Sequence, residues 1–148
     1  MPGVLAHVGR TRGGKWVLTH QVADELWQFK SFVQISTDGE AWSAPVSIQP
    51  QSDNAHDAFP IRRQDEGSDL YYLRPGPAGE LNVLRRMLGE DGSLGVEQAV
   101  TDATIGHVEK PQARRLPDGR LVLMFARRSS ATDYDIMLGL LDGDSPSQ

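Results

Sequence analysis

The sequence repeats one turn signal at a nearly constant interval. The pairs Asp38-Gly39, Asp91-Gly92 and Asp142-Gly143 are separated by 53 and then 51 residues, and each follows a run of β-forming residues. Asp and Gly favour tight turns because the Asp side chain bonds to nearby backbone amides and Gly reaches positive φ at no steric cost. The spacing predicts one supersecondary unit that occurs three times.

Other landmarks support this repeat. Segments 56–60 and 107–111 both begin with His and end with Pro, at an offset of 51, and the same offset maps Arg63 onto Arg114. A repeat of about 40 to 50 residues made of several short strands is typical of a β-propeller blade. We therefore expect an all-β, single-domain chain, with blades at about 1–50, 51–101 and 102–148.

Alternation of apolar and polar residues between turn signals predicts eleven strands. They fall at 3–9, 15–21, 29–36 and 44–48 in the first blade, and at 58–64, 69–74, 81–87 and 95–99 in the second. The third blade has strands at 110–116, 120–127 and 134–141, after which the short polar tail predicts no fourth strand. The pattern is three four-stranded antiparallel blades, the last one incomplete.

Composition excludes several classes of partner. The net charge is −5 and there is no long basic run, which argues against a nucleic-acid ligand. Without Cys the chain forms no disulfides, and no apolar run is long enough to span a membrane. Residues 1–12 contain no apolar leader core, which predicts a cytoplasmic protein as written, or a secreted one if a leader was removed.

The first turn carries a motif that names a family. The letters S-T-D-G-E-A-W at 36–42 resemble the Asp box, or bacterial neuraminidase repeat, of sialidase-like β-propellers. The Asp carboxylate accepts turn amides, Gly supplies a positive φ and Trp packs beneath the hairpin. The resemblance implies a six-bladed fold, of which this chain supplies half, and a structural role for Ser36, Asp38, Gly39 and Trp42.

The resemblance also implies a ligand face, formed by the loops that enter each innermost strand and those that join the second and third strands. Carboxylate, imidazole, guanidinium and aromatic groups on such a face suit acidic sugars. The candidate ligand-binding residues are Trp27, His56, Asp57, Arg63, His107, Glu109 and Arg114. Some of them have a structural alternative: backbone contacts for the two His residues, salt bridges for the Arg residues and cover of apolar surface for Trp27.

A sialidase-type catalytic set is not matched. Sialidases use three arginines, a Tyr nucleophile assisted by Glu, and an Asp acid/base. The family's Arg-Ile-Pro motif is replaced by Phe-Pro-Ile-Arg at 59–62, and the three Tyr residues, Tyr71, Tyr72 and Tyr134, are expected to pack within strands. The sequence predicts a non-catalytic module that binds a glycan or serves as a scaffold. The alternatives are an exo-sialidase-type hydrolase and a protein-interaction propeller.

Three blades do not close a propeller, because an open set leaves a blade face uncovered at each end. We expect either a homodimer that closes one six-bladed ring or a longer protein that supplies the missing blades. The four His residues form no short ligand pair, so no cofactor or metal is predicted, with Ca²⁺ in acidic loops as the remaining possibility.

Overall fold

A computed structural model describes residues 5–23, 28–49 and 54–141, and all regular structure in these ranges is β-strand. The strands are β1 (Ala6–Arg10), β2 (Trp16–Ala23), β3 (Phe29–Ser36), β4 (Val46–Ser47), β5 (His56–Arg62), β6 (Ser68–Pro75), β7 (Leu81–Leu88), β8 (Gln98–Ala99), β9 (Val108–Arg115), β10 (Leu121–Arg128) and β11 (Tyr134–Leu141).

These strands form three antiparallel sheets, each from one continuous segment of the chain. Sheet 1 has the order β1-β2-β3-β4, sheet 2 the order β5-β6-β7-β8, and sheet 3 the order β9-β10-β11. The hairpins after β1, β6 and β9 end with Gly14, Gly79 and Gly119 at φ 92°, 84° and 89°. A positive φ at these positions closes each hairpin in a fixed register.

The predicted strand pattern of four, four and three is confirmed within the described residues, and β3 and β11 match their predicted bounds. The expectation that residues 56–57 and 109 lie in loops is wrong. Strands β5 and β9 begin earlier because each contains a β-bulge, with Asp57 at φ 55° and Lys110 at φ 49°. A bulge absorbs one extra residue and lets pairing continue past it.

The core consists of two apolar layers on either side of sheet 2. Leu70 and Tyr72 face sheet 1, where they pack with Val17 and Val33. Tyr71 and its neighbours on the opposite face join the layer shared with sheet 3. The centre of strand β6 is buried on both faces, so residues 70–73 are apolar or aromatic without polar alternation.

Buried hydroxyl groups also connect the sheets. Thr19 donates its Oγ1 hydrogen to the carbonyl of Ala58 at 2.6 Å, and Ser31 donates to the carbonyl of Ala55 at 2.7 Å. Each bond provides a donor for a backbone oxygen at the start of sheet 2. Sheet 1 is therefore held to the start of sheet 2 by polar as well as apolar contacts.

The three-dimensional repeat between sheets 2 and 3 has an offset of 53. At this offset the bulge at Asp57 maps onto the bulge at Lys110, and Arg62, the last residue of β5, maps onto Arg115, the last residue of β9. The mapping of Arg63 onto Arg114 and of His56 onto His107 is therefore shifted by two residues. Equivalent positions in sheets 2 and 3 are therefore marked by the bulge residues Asp57 and Lys110, and not by His56 and His107.

Among the described residues, no helix has the length and apolar character needed to cross a membrane.

Candidate functional site

The turn at Asp38 is organised by one carboxylate. Asp38 Oδ1 accepts hydrogen bonds from the amides of Glu40 (2.8 Å) and Ala41 (2.9 Å) and from the hydroxyl of Ser36 (2.9 Å). These bonds hold the pKa of Asp38 below its usual range, with the Ala41 amide as the largest cause. Gly39 has a φ of 85°, and a Cβ there would lie 3.1 Å from Nε1 of Trp16. This local geometry gives Ser36, Asp38 and Gly39 a structural role.

The other two predicted turns differ from the first. Asp91 Oδ1 accepts bonds from the amide and the hydroxyl of Ser93, with Gly92 at φ 88°. The motif's Trp42 is half-buried beside the first turn, whereas Leu94 takes the equivalent place in the second. The third pair, Asp142-Gly143, lies outside the described residues.

A cavity of about 650 Å³ lies at the ends of β1, β5 and β9. It is bordered by six arginines and by no acidic residue, although the whole chain has a net charge of −5. A concentration of cationic side chains on an acidic protein marks a place where an anion is attracted. The lining residues are Gly9, Arg10, Arg12, Pro60, Ile61, Arg62, Arg63, Gln64, Ala113, Arg114 and Arg115.

Two of these arginines join neighbouring sheets. Arg62 donates from Nη2 to the carbonyl of Arg12 at 3.1 Å, and Arg115 donates from Nε to the carbonyl of Arg62 at 2.9 Å. Both residues end their inner strands, so each reaches back to the hairpin end of the preceding sheet. Both residues also line the cavity.

Arg63 is bound by acidic residues of its own sheet. Its guanidinium contacts Asp65 at 2.7 Å and Asp69 at 3.1 Å, and both Arg63 and Asp69 are buried. The hydrogen bonds that Arg63 donates to Asp65 raise the pKa of Arg63, and they lower the pKa of Asp65 to about 2. Arg63 therefore has a structural salt bridge, which was one of the two roles expected from the sequence.

Arg114 is more accessible than its neighbour Arg115. Its side chain is exposed, and within the described part of the chain no carboxylate lies within ion-pair distance of it. Arg12 is exposed too, and the guanidinium of Arg10 lies 3.8 Å from the ring centroid of Trp16. These side chains are positioned to bind an anion at the cavity mouth.

A second polar cluster lies at the other end of the inner strands. Glu109 Oε1 accepts from Arg128 Nη2 at 2.8 Å, lies 3.3 Å from His107 Nε2 and accepts from the Tyr134 hydroxyl at 3.3 Å. Arg128 also donates to the Tyr134 hydroxyl at 2.9 Å, which is the largest cause of the raised pKa of Arg128. The expectation that Tyr134 is a packing residue is wrong, because it is exposed on β11.

His56 lies near this second cluster in a partly apolar setting. Its ring centroid is 5.4 Å from that of Phe29. Burial lowers the pKa of His56, the adjacent Asp57 opposes the shift, and the charge of His107 adds to it. The backbone amide of Asp57 donates to the side chain of Gln21 at 2.9 Å. Both residues therefore contact the neighbouring sheet.

The predicted ligand residues thus fall into two groups. His56, Asp57, His107 and Glu109 lie where β5 and β9 begin, whereas Arg63 and Arg114 lie where these strands end. Trp27 falls outside the described residues. Sequence reasoning missed the site roles of Arg10, Arg12, Arg128 and Tyr134. Arg10 could have been found, because each inner strand ends in an Arg.

Two of the three Tyr side chains are unsuited to attack a substrate. Tyr71 and Tyr72 are fully buried in β6, and burial raises the pKa of each. The hydroxyl of Tyr72 donates to Glu97 at 2.5 Å and accepts from Gln49 at 2.8 Å. Across the described ranges, no group of three or more His, Asp or Glu side chains could hold a metal ion.

Comparison with solved structures finds the same fold elsewhere. A crystal structure of a protein of unknown function from Dyadobacter fermentans DSM 18053 matches with a TM-score of 0.68 and 19% sequence identity. The match covers 95% of this chain and 39% of that chain, so this chain spans well under half the length of that protein. No family model matches the sequence, and no curated protein matches it.

Proposed function

We propose that the chain is half of a six-bladed, sialidase-like β-propeller that binds an acidic sugar without cleaving it. The observation that carries this proposal is the cavity bordered by six arginines and no acidic residue. The Asp38 turn and the regular repeat of four-stranded sheets support the family resemblance. The distant structural neighbour has no known function, so the sugar class rests on the chemistry of the cavity.

Guanidinium groups suit a carboxylate because their parallel N–H donors match its two oxygens. Arg62 and Arg114 are exposed and come from adjacent inner strands, so both can reach one ligand at the cavity mouth. Backbone groups at the strand ends add hydrogen-bonding capacity for sugar hydroxyls. The volume of the cavity, about 650 Å³, lies in the range of small-molecule sites.

Binding without cleavage follows from what surrounds the cavity. Hydrolysis of a glycosidic bond typically uses a carboxyl group as acid or base. The described lining of the cavity contains no carboxyl side chain. A bound acidic sugar would therefore be attracted and oriented, with no group beside it to protonate the leaving oxygen.

The direct test is a calorimetric or NMR titration with N-acetylneuraminic acid, using its uncharged methyl ester as the matched ligand. We expect binding of the acid at millimolar or lower concentration, at least tenfold loss with the ester, and weakening as salt is raised. Arg114→Ala should abolish binding, whereas Arg127→Ala, which removes an exposed pair with Asp135, should not. No binding of any acidic sugar at millimolar concentration would overturn the proposal.

A sialidase-type hydrolase is the second candidate, and one observation favours it. The hydroxyl of Tyr134 lies 3.3 Å from Glu109 Oε1, which is the residue pair that a Tyr nucleophile and its assisting base require. Hydrolysis of a fluorogenic sialoside, lost in Tyr134→Phe, would support this candidate. Absence of hydrolysis beside measured binding supports the non-catalytic module.

A protein-interaction or scaffold propeller is the third candidate. A glycan array separates it from the first, because a scaffold would show no sugar signal while the folded chain retained its stability.

A further inference from the structure

The outer face of sheet 3, the side turned away from sheet 2, is strongly apolar. Ile136, Leu138 and Leu140 are 68%, 70% and 61% exposed, and Met124 lies opposite Leu138 in the register. Burial of apolar surface stabilises by about 25 cal/mol per Å². A contiguous row of this kind on a sheet therefore marks an interaction surface.

The repeat identifies the kind of structure that covers this face. Thr19, Tyr71 and Met124 are each the fourth residue of the second strand in their sheets. Thr19 pairs with Val33 as Met124 pairs with Leu138. Thr19, Val33 and Tyr71 are buried because the next sheet lies on them. The equivalent face of sheet 3 is thus shaped to receive another sheet.

The chain also has the matching face, on the side of sheet 1 turned away from sheet 2. Val8 and Val22 are 60% and 47% exposed there, and Leu18 and Phe32 are half-buried. Leu70, Leu123 and their neighbours, on the corresponding sides of sheets 2 and 3, are buried against the preceding sheet. One molecule therefore presents both halves of a sheet-to-sheet contact.

The Arg at the end of each inner strand supports the same pairing of sheet 3 with sheet 1. Strands β1, β5 and β9 end in Arg10, Arg62 and Arg115. Arg62 and Arg115 each donate to a backbone carbonyl of the preceding sheet, at Arg12 and Arg62. Within the described ranges no sheet precedes sheet 1, and the guanidinium of Arg10 lies over the ring of Trp16.

We propose that a second copy of this chain covers both faces. Sheet 3 of each copy packs on sheet 1 of the other, and Arg10 donates to carbonyls at the end of β9 in the second copy. Two identical head-to-tail contacts related by a two-fold axis close the ring and leave no further free face. The inference rests on the half-propeller of the proposed function but not on sugar binding, because the sheet faces carry it and only Arg10 belongs to both the contact and the cavity.

The test is light scattering coupled to size exclusion, over a dilution series of the purified chain. We expect twice the monomer mass of 16.3 kDa. Leu138→Lys and Val8→Glu should each give monomers, because one face of every contact is lost. Val96→Glu is the control, since Val96 is 84% exposed in the connection before β8 and should leave the dimer intact.

Mixing the two monomeric variants tests the head-to-tail geometry. Each keeps the face that the other has lost, and the introduced charges are opposite, so the mixture should form dimers. Circular dichroism and thermal melting show that each variant is folded. A monomeric or aggregated parent chain overturns the proposal and leaves the faces to other blades or partners. Val8→Glu without effect overturns it too, since sheet 3 would then pair with itself.

Discussion

Arg115 donates from Nε to the backbone carbonyl of Arg62 at 2.9 Å and so connects sheet 3 to sheet 2. Its Nη1 also donates to the carbonyl of Gly119 within its own hairpin. One side chain thus holds a hairpin closed and joins it to the preceding inner strand.

We expect Arg115→Ala to lower the free energy of unfolding by about 1 to 2 kcal/mol, as is typical when a charged donor is lost. Urea denaturation followed by circular dichroism measures the change. The control is Arg120→Ala in the same hairpin, where an exposed pair with Asp118 is lost and about 0.5 kcal/mol or less is expected. Equal losses would refute a special role for Arg115.

The buried pair of Arg63 and Asp69 predicts a larger effect. Arg63→Ala should lower the free energy of unfolding by about 3 kcal/mol, because the Asp69 carboxylate remains buried after its cationic partner is removed. Adding Asp69→Asn to that variant should restore part of the loss. If Arg63→Ala is as stable as the parent protein, the salt bridge has no structural role.

Thr19 offers a test of the bond between sheets 1 and 2. Thr19→Val keeps the shape but leaves the carbonyl of Ala58 without this donor, so we expect a loss of about 1 to 3 kcal/mol in unfolding free energy. Thr37→Val, at an exposed turn position, is the matched control and should change stability little. Similar losses for both would mean that the buried bond contributes nothing specific.

The lowered pKa of His56 predicts a stability that depends on pH. Below the ordinary His value of 6.5, the unfolded chain binds a proton more readily than the folded one. The stability that neutral His56 contributes to the folded state is therefore complete above pH 6.5. It is lost as the pH falls from 6.5 towards the lowered pKa of His56 in the folded state.

Unfolding free energies between about pH 8 and pH 5 measure this effect, since the two protonation states differ in that window. The parent protein should lose more stability on acidification than His56→Gln does. Parallel pH profiles for the two proteins would contradict the assignment.

The strand pattern could be predicted from the sequence because strand alternation and turn chemistry are local. Phe29–Ser36 and Tyr134–Leu141 stand where the pattern placed them, and turn glycines such as Gly119 close the predicted hairpins. The inner strands were shifted because the bulges at Asp57 and Lys110 have no sequence signature of their own. Echoed letters such as His56 and His107 therefore suggested a register two residues from the structural one.

The candidate site was likewise predictable only in part. The sequence by itself indicated a repeated sheet unit, the turn at Asp38 and two candidate arginines, Arg63 and Arg114. The tertiary structure determined that Arg63 belongs to a salt bridge, that Arg10 and Arg12 join the cavity, and that Tyr134 meets Glu109. Strand and turn preferences act between residues close in sequence, whereas ion pairs and cavities depend on which sheets pack together.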